Sequence, residues 1–295
     1  MKPALCGLLV LALSSAWAQT NTNYTRIEDV IYGRKFGTAL TLDVFQPPNP
    51  NGLGIVALVS GGWFSAHEAI YPENYRPLLA HGYTVFAVVH GSQPKYIVTE
   101  IEPDIHRAVR FIRHNAAKYG VDPNRLGLTG GSAGGHLSLT MATQGCPGNP
   151  AAKDPVDRES SEVQCVACFF PPTDFLNYGK PGEDAVGVGV LKDFKPAFGP
   201  LADTPEGRQK LGREISPIYF IHSNMPPILI MHGDADKLVP IYQSQCFVKR
   251  CQEVGSPVKL TTREGKVHGW AGMDKDVEIF AEWFDQHLKR AKPQP

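Results

Sequence analysis

Short apolar runs alternate with amphipathic stretches along most of this chain. Residues 27–32 and 39–45 read as strands, and within the second Leu40, Leu42 and Val44 alternate with Thr41 and Asp43, so that one face is apolar. Residues 55–59 and 83–89 are continuous apolar runs, as expected of strands covered on both faces. Further strands are expected over 163–170, 228–231 and 258–262. Between them fall helical periods at 75–80, 134–143 and 241–254, and a closing helix marked by Val277, Phe280, Phe284 and Leu288. The clearest helix is 103–119, where Ile105, Ala108, Val109, Ile112 and Ala116 recur at helical spacing, with Pro103 suited to a first turn and Gly120 to a cap. After an opening antiparallel hairpin, the repeating order of strand and helix predicts an α/β fold with a doubly wound, mostly parallel sheet. Functional sites in such sheets lie at the carboxyl ends of the strands. Residues 171–227 carry mixed signals, with short helices near 184–194 and 205–211. They are expected to make a small excursion over the strand ends, either as a cap or as a long connection.

Composition narrows the setting. Lys2, the apolar run 4–13 and Ala16-Trp17-Ala18 form a basic start, a hydrophobic centre and a cleavage site. A secretory signal peptide over 1–18 is therefore expected, with a single domain over 19–295 and a secreted or periplasmic location. A membrane anchor is not expected, because a spanning helix needs about 20 apolar residues. The 29 basic and 29 acidic residues are interspersed, which leaves no electrostatic footprint for nucleic acid or an anionic membrane. Beyond Cys6 lie Cys146, Cys165, Cys168, Cys246 and Cys251. An exported chain permits disulfides, and the expected pair is Cys146 with Cys165, which bracket a polar loop. Cys246 and Cys251 sit in a helical segment, too far apart to pair unless the helix is broken. The cysteines and histidines match no zinc spacing.

The stretch Leu126-Gly-Leu-Thr-Gly130-Gly-Ser132-Ala-Gly134-Gly-His136 carries the chemistry. An apolar run breaks into glycines around one serine, the Gly-x-Ser-x-Gly nucleophile elbow of the α/β-hydrolase fold. A serine hydroxyl is barely ionised near neutral pH, so it needs a histidine to take its proton and an acid to orient that histidine. The fold requires the order serine, acid, histidine, and Ser132, Asp236 and His268 satisfy it, each in a loop just after a strand. Asp234 competes with Asp236 for the acid, and His136 and His232 compete with His268 for the base. The competitors suit structural hydrogen bonding. No metal or organic cofactor is required by such a set.

These residues support a resemblance. Gly-Gly-Ser132-Ala-Gly-Gly-His, preceded by Asp104-Ile-His-Arg-Ala-Val-Arg and Tyr119-Gly-Val-Asp-Pro, and followed by His-Gly-Asp-Ala-Asp236 and Val-His268-Gly-Trp, closely resembles secreted bacterial α/β-hydrolase esterases of the hormone-sensitive-lipase-like and acetyl-xylan or feruloyl esterase-like groups. The resemblance implies a serine carboxylesterase acting on small or polysaccharide-linked esters. It also implies an oxyanion hole made by the backbone N–H groups of Gly62, Trp63 and Ala133. Members of these groups commonly carry His-Gly-Gly where this chain has Ser60-Gly61-Gly62, a change that leaves the backbone donors in place and leaves open what holds their loop. Phe64, His90, Gln93 and Trp270 fall in loops expected at the pocket rim, where they either bind substrate or pack the wall. A serine peptidase or amidase of the prolyl-oligopeptidase type can use the same triad, although those enzymes usually carry a propeller for which this chain has no room. A non-catalytic protein of the same fold is the remaining alternative.

Overall fold

A computed structural model describes residues 24–289. The signal segment expected over 1–18 lies outside the described residues. The strands are β1 (Thr25–Lys35), β2 (Thr38–Gln46), β3 (Gly54–Val59), β4 (Thr84–Val89), β5 (Leu126–Gly131), β6 (Cys165–Phe169), β7 (Ile228–Gly233) and β8 (Val258–Arg263). They form one sheet in the order β1-β2-β4-β3-β5-β6-β7-β8. β1 and β2 are antiparallel, and β2 runs antiparallel to β4. From β4 through β8 every neighbouring pair is parallel. This is the doubly wound, mostly parallel sheet of the α/β-hydrolase fold.

The helices are α1 (Arg76–Ala80), α2 (Val98–His114), α3 (Ala133–Gln144), α4 (Pro205–Ile215), α5 (Tyr242–Glu253) and α6 (Met273–Leu288). Side-chain alternation along the strands divides the core into two layers. Val56, Leu58, Leu128, Cys168 and Ile230 face α2, α3 and α5. Ile55, Ala57, Cys165, Leu229 and Met231 face α1 and α6. Burial on both faces is why β3, β6 and β7 read as unbroken apolar runs. Among the described residues, no helix is long and apolar enough to cross a membrane.

Two sequence expectations are corrected. α2 begins at Val98, and Pro103 lies inside it. The helix starts early because the Glu100 side chain accepts the N–H of Ile97 (3.0 Å). Pro103 is tolerated there because it is exposed and removes only one backbone hydrogen bond. Cys146 and Cys165 are both free. Cys165 faces the α1 and α6 layer, whereas the Cys146 thiol accepts a hydrogen bond from Arg110 Nη2 of α2 (3.2 Å) on the opposite layer. The sheet therefore separates two thiols that sequence spacing brackets. Cys246 and Cys251, within the unbroken α5, are free as well.

The excursion between β6 and β7 contains a 3₁₀ segment over Gly189–Ala197 and then α4. It is not a detached cap. Its Phe175, Tyr178, Val186, Leu191, Phe198 and Leu211 belong to the same apolar cluster as α2 and α3.

Candidate active site

β5 ends in glycines, and the chain reverses at Ser132 with φ +55° and ψ −119°, a conformation that L-residues rarely adopt. Glycine at position 130 is needed for this reversal, since a Cβ there would stand 2.5 Å from the carbonyl of Gly134. Two hydrogen bonds fix the turn. The Ser132 N–H donates to Phe169 O (3.1 Å), and the Ser132 carbonyl accepts from the His136 N–H (2.8 Å), opening α3.

Loops after β7 and β8 bring Asp236 and His268 to the serine. His268 Nε2 lies 3.0 Å from Ser132 Oγ, and His268 Nδ1 lies 2.7 Å from Asp236 Oδ2. A carboxylate only accepts, so Nδ1 carries the proton and Nε2 is free to accept from the serine hydroxyl. Asp236 Oδ1 is held by the N–H groups of Leu238 and Val239, each at 2.9 Å. Burial raises the Asp236 pKa, but hydrogen bonds from His232, His268 and Val239 outweigh it and keep the carboxyl well below the usual carboxylate range. The competing residues are otherwise engaged. Asp234 Oδ1 accepts the Gly265 N–H (2.7 Å), joining the two loops. His232 accepts from Ser244 Oγ (2.7 Å) at Nδ1 and donates to Val239 O (2.8 Å) at Nε2. His136 accepts from Trp63 Nε1 (3.2 Å) and donates to Ile215 O (2.7 Å). Burial pushes the His136 pKa down to about 4, so the ring stays neutral.

On the other side of Ser132, Gly61 and Phe64 exchange backbone hydrogen bonds of 3.0 and 2.9 Å across a two-residue turn. Both central residues have positive φ, +55° at Gly62 and +61° at Trp63. This is the type I′ geometry, which leaves the two central N–H groups outside the turn's own bonding. Among the described residues, the N–H groups of Gly62, Trp63 and Ala133 have no acceptor. A side chain at Gly62 would meet the Phe194 ring at 2.4 Å. The positive φ of Trp63 is held by its indole, which is buried among Phe175, Phe194, Phe198 and His136 and donates to His136. Where related chains carry a histidine, Ser60 Oγ lies 2.8 Å from His90 Nε2 at the end of β4. His90 Nδ1 donates to Gly91 O (2.7 Å), so Nε2 accepts from the serine. Ser65 completes the brace, donating to Val59 O (2.5 Å) and accepting from the His90 N–H (3.1 Å). Thus β4 supplies the support that the missing β3 histidine leaves vacant.

Ser132 opens onto two spaces of different size. A cleft of about 480 Å³ extends toward α1 and α6, with Ser60, Tyr71, Asn74, Phe170 and Met273 on its wall. A narrow cleft of about 10 Å³ lies on the excursion side, bounded by Gly62, Trp63, Ala133, Tyr178, Leu191 and Phe194. A larger depression of about 730 Å³ beside α6 has Trp270 on its wall but holds none of the three contacting residues. The remaining rim residues have separate positions. Phe64 is exposed beside the Gly62–Trp63 turn, Gln93 donates its backbone N–H to Trp63 O (3.2 Å), and Trp270 Nε1 donates to Asp276 Oδ2 (2.7 Å). His90 is buried and meets the site only through Ser60. Sequence reasoning missed Tyr71, Phe170, Tyr178 and Phe194. Phe170 has φ +32° and packs its ring 4.4 Å from that of His268. Its place just after an apolar strand was the available signal.

Comparison with known proteins gives consistent matches. A family model described as BD-FAE matches residues 42–251. The chain is 26% identical over 240 residues to Probable carboxylic ester hydrolase LipM of Mycobacterium tuberculosis, covering 79% of this chain and 53% of that protein. It is 28% identical over 238 residues to Esterase LipQ of the same organism, covering 77% and 53%. The chain thus spans about half the length of the curated relatives it matches. A solved structure described as a truncated form of carbohydrate esterase from gut microbiota aligns with a TM-score of 0.75 at 25% identity, covering 90% of this chain and 98% of that one.

Proposed function

Because the chain belongs to the BD-FAE family, we propose that it is a serine carboxylic-ester hydrolase working through an acyl-enzyme. The observation that carries this reading is the continuous contact from Ser132 Oγ through His268 to Asp236, at 3.0 and 2.7 Å, opposite a turn with free backbone donors. Ser132 Oγ attacks the ester carbonyl while His268 Nε2 takes its proton, and Asp236 stabilises the imidazolium. The negative oxygen is held by the N–H groups of Gly62, Trp63 and Ala133. Collapse breaks the ester C–O bond, and His268 returns the proton to the leaving alcohol. Water then enters and attacks the acyl carbon while giving its proton to His268, and as the acyl–Oγ bond breaks His268 returns that proton to Ser132, releasing the carboxylic acid.

Short-chain or aromatic acyl esters, such as acyl groups on polysaccharide, are the proposed substrates. The wide cleft beside Ser132 has room for an acyl substituent, and a carbohydrate esterase is among the similar structures. Export from the cell is part of the proposal and rests on the sequence at 2–18. Peptide or amide cleavage is the second reading, since the same triad attacks amides.

Acetyl, butyryl, feruloyl and aminoacyl substrates, assayed with the wild type and Ser132→Ala, test the proposal. Ester turnover is expected to fall by about 10⁴-fold or more in the alanine variant. Wild-type turnover in that variant removes Ser132 as nucleophile, and cleavage of peptide substrates alone removes the ester reading.

A further inference from the structure

Tyr178 is almost fully buried, with 1% of its surface exposed. Among the described residues its hydroxyl has no hydrogen-bond partner. A buried hydroxyl without a partner destabilises a fold by about 1–3 kcal/mol, and such groups in native structures call for a reason. The rest of the residue is fixed. Its N–H donates to Glu183 O (2.9 Å), its carbonyl accepts from Gln243 Nε2 (2.6 Å), and its ring stacks on Phe175 at 6.3 Å. The ring therefore has little freedom to turn its hydroxyl toward another acceptor.

The location supplies a reason. Tyr178 bounds the narrow cleft together with Gly62, Trp63, Ser132 and Ala133. Three backbone N–H groups on this wall also have no acceptor. The space between them, about 10 Å³, has room for roughly one water-sized group. A small cleft walled by backbone N–H groups and a hydroxyl is suited to one negatively charged oxygen. Burial, and after it the nearby Asp236 charge, raises the Tyr178 pKa well above that of an ordinary phenol. The hydroxyl keeps its proton and remains a donor.

On the ester-hydrolase reading, we propose that Tyr178 is a further catalytic residue, whose hydroxyl donates to the oxyanion of the tetrahedral intermediate as a side-chain partner to the three backbone N–H groups. The donor engages when negative charge forms in the cleft. That is the preorganisation through which a donor lowers a barrier without tightening substrate binding. No bond to Tyr178 forms or breaks, and its proton stays in place throughout the cycle.

Tyr178→Phe removes the hydroxyl and keeps the ring. With p-nitrophenyl acetate, kcat is expected to fall about 100- to 1,000-fold with KM nearly unchanged. Affinity for a short alkyl trifluoromethyl ketone, which forms a charged tetrahedral adduct on serine, is expected to fall in parallel. The melting temperature is expected to hold or rise, because an unsatisfied buried group has been removed. Titration of reactive Ser132 with a fluorophosphonate corrects each rate for the fraction of folded protein. Unchanged kcat and unchanged ketone affinity overturn the assignment, as does a rise in KM alone, which would make the hydroxyl a ground-state contact. If Ser132→Ala is inactive while Tyr178→Phe turns over normally, this assignment fails and the ester-hydrolase reading stands. Retention of turnover by Ser132→Ala removes that reading as well.

Discussion

The two arms that meet at Ser132 are built from different materials. On one side, Asp236 is held by polar contacts, its buried carboxylate accepting from Leu238, Val239 and His268 with His232 close by, while the imidazole packs against Phe170 and keeps part of its surface in solvent. On the other side, the turn at Gly62 and Trp63 carries no charged group and is fixed by an indole buried among three phenylalanine rings and His136. The difference follows from what each arm is proposed to do. A proton relay changes charge during reaction, so it needs partners that answer to charge. An oxyanion turn must hold its dipoles still while charge appears beside it, and close packing, which has no alternative arrangement of similar energy, does that. Damage to the first arm should therefore reduce activity far more than stability, and damage to the second should reduce both substantially.

The largest separation is expected from Asp236→Asn. The amide oxygen would stay on the N–H groups of Leu238 and Val239, which puts its NH₂ against His268 Nδ1. That nitrogen must then accept, the proton moves to Nε2, and His268 no longer takes the proton of Ser132. A kcat loss of about 10⁴-fold is expected, far larger than the moderate fall in melting temperature that loss of the charged hydrogen bonds brings. Asp234→Asn is the control, because an amide oxygen accepts the Gly265 N–H as the carboxylate does, and its turnover should stay within about 2-fold. Equal losses in steady-state assays would assign the acid's role to the loop as a whole.

Trp63→Ala attacks the other arm. Removing a buried indole costs about 3–5 kcal/mol, or roughly 10 °C in melting temperature for a domain of this size. It also releases a non-glycine residue from a positive φ that packing had enforced. Turnover of the folded fraction should fall as well, because the two central N–H groups lose their fixed direction. Calorimetry together with active-site titration reads the two effects separately. A variant that melts early but turns over normally per active site would show that the turn is set without the indole.

The legible and illegible parts of the site divide along similar lines. Strands covered on both faces appear in sequence as unbroken apolar runs, so β3 through β7 and the loops after them could be placed. Ser132, Asp236 and His268 follow strand ends, and chain order alone put them on one sheet edge. The oxyanion turn was legible as glycines, but the burial of Trp63 and its contact with His136 depend on residues from α3 and the excursion. Tyr178 and Phe194 come from that excursion, where short 3₁₀ segments and loops leave no period to read. The expected Cys146 with Cys165 pair failed for a related reason. Sequence distance measures the loop between two thiols, whereas the face of the sheet on which each one lies decides whether they meet.

The last test uses acid in place of a substitution. His90 and His136 brace the oxyanion arm, and burial lowers both pKa values to about 4. Below about pH 6.5 the unfolded chain gains protons at these residues while the native protein does not, so stability falls as pH falls and levels off near pH 4. The full slope is on the order of 1 kcal/mol per pH unit for each histidine. His106, also lowered to about 4 by burial, adds to it. Asp236 has the opposite placement. Its depressed native pKa contributes stability above the ordinary carboxylate value near 4, and that contribution is lost only at lower pH. Between pH 6.5 and 4 acid should therefore weaken the packed arm and spare the polar contacts of Asp236. Melting temperatures across this window should decline against the opposing contribution of Glu102, whose pKa burial raises to about 8, and His136→Gln, neutral throughout, should make the decline shallower. A wild-type curve that stays flat to pH 4 and drops only below it would place the acid sensitivity among the carboxylates, and the two arms would then not be distinguished by how they are held.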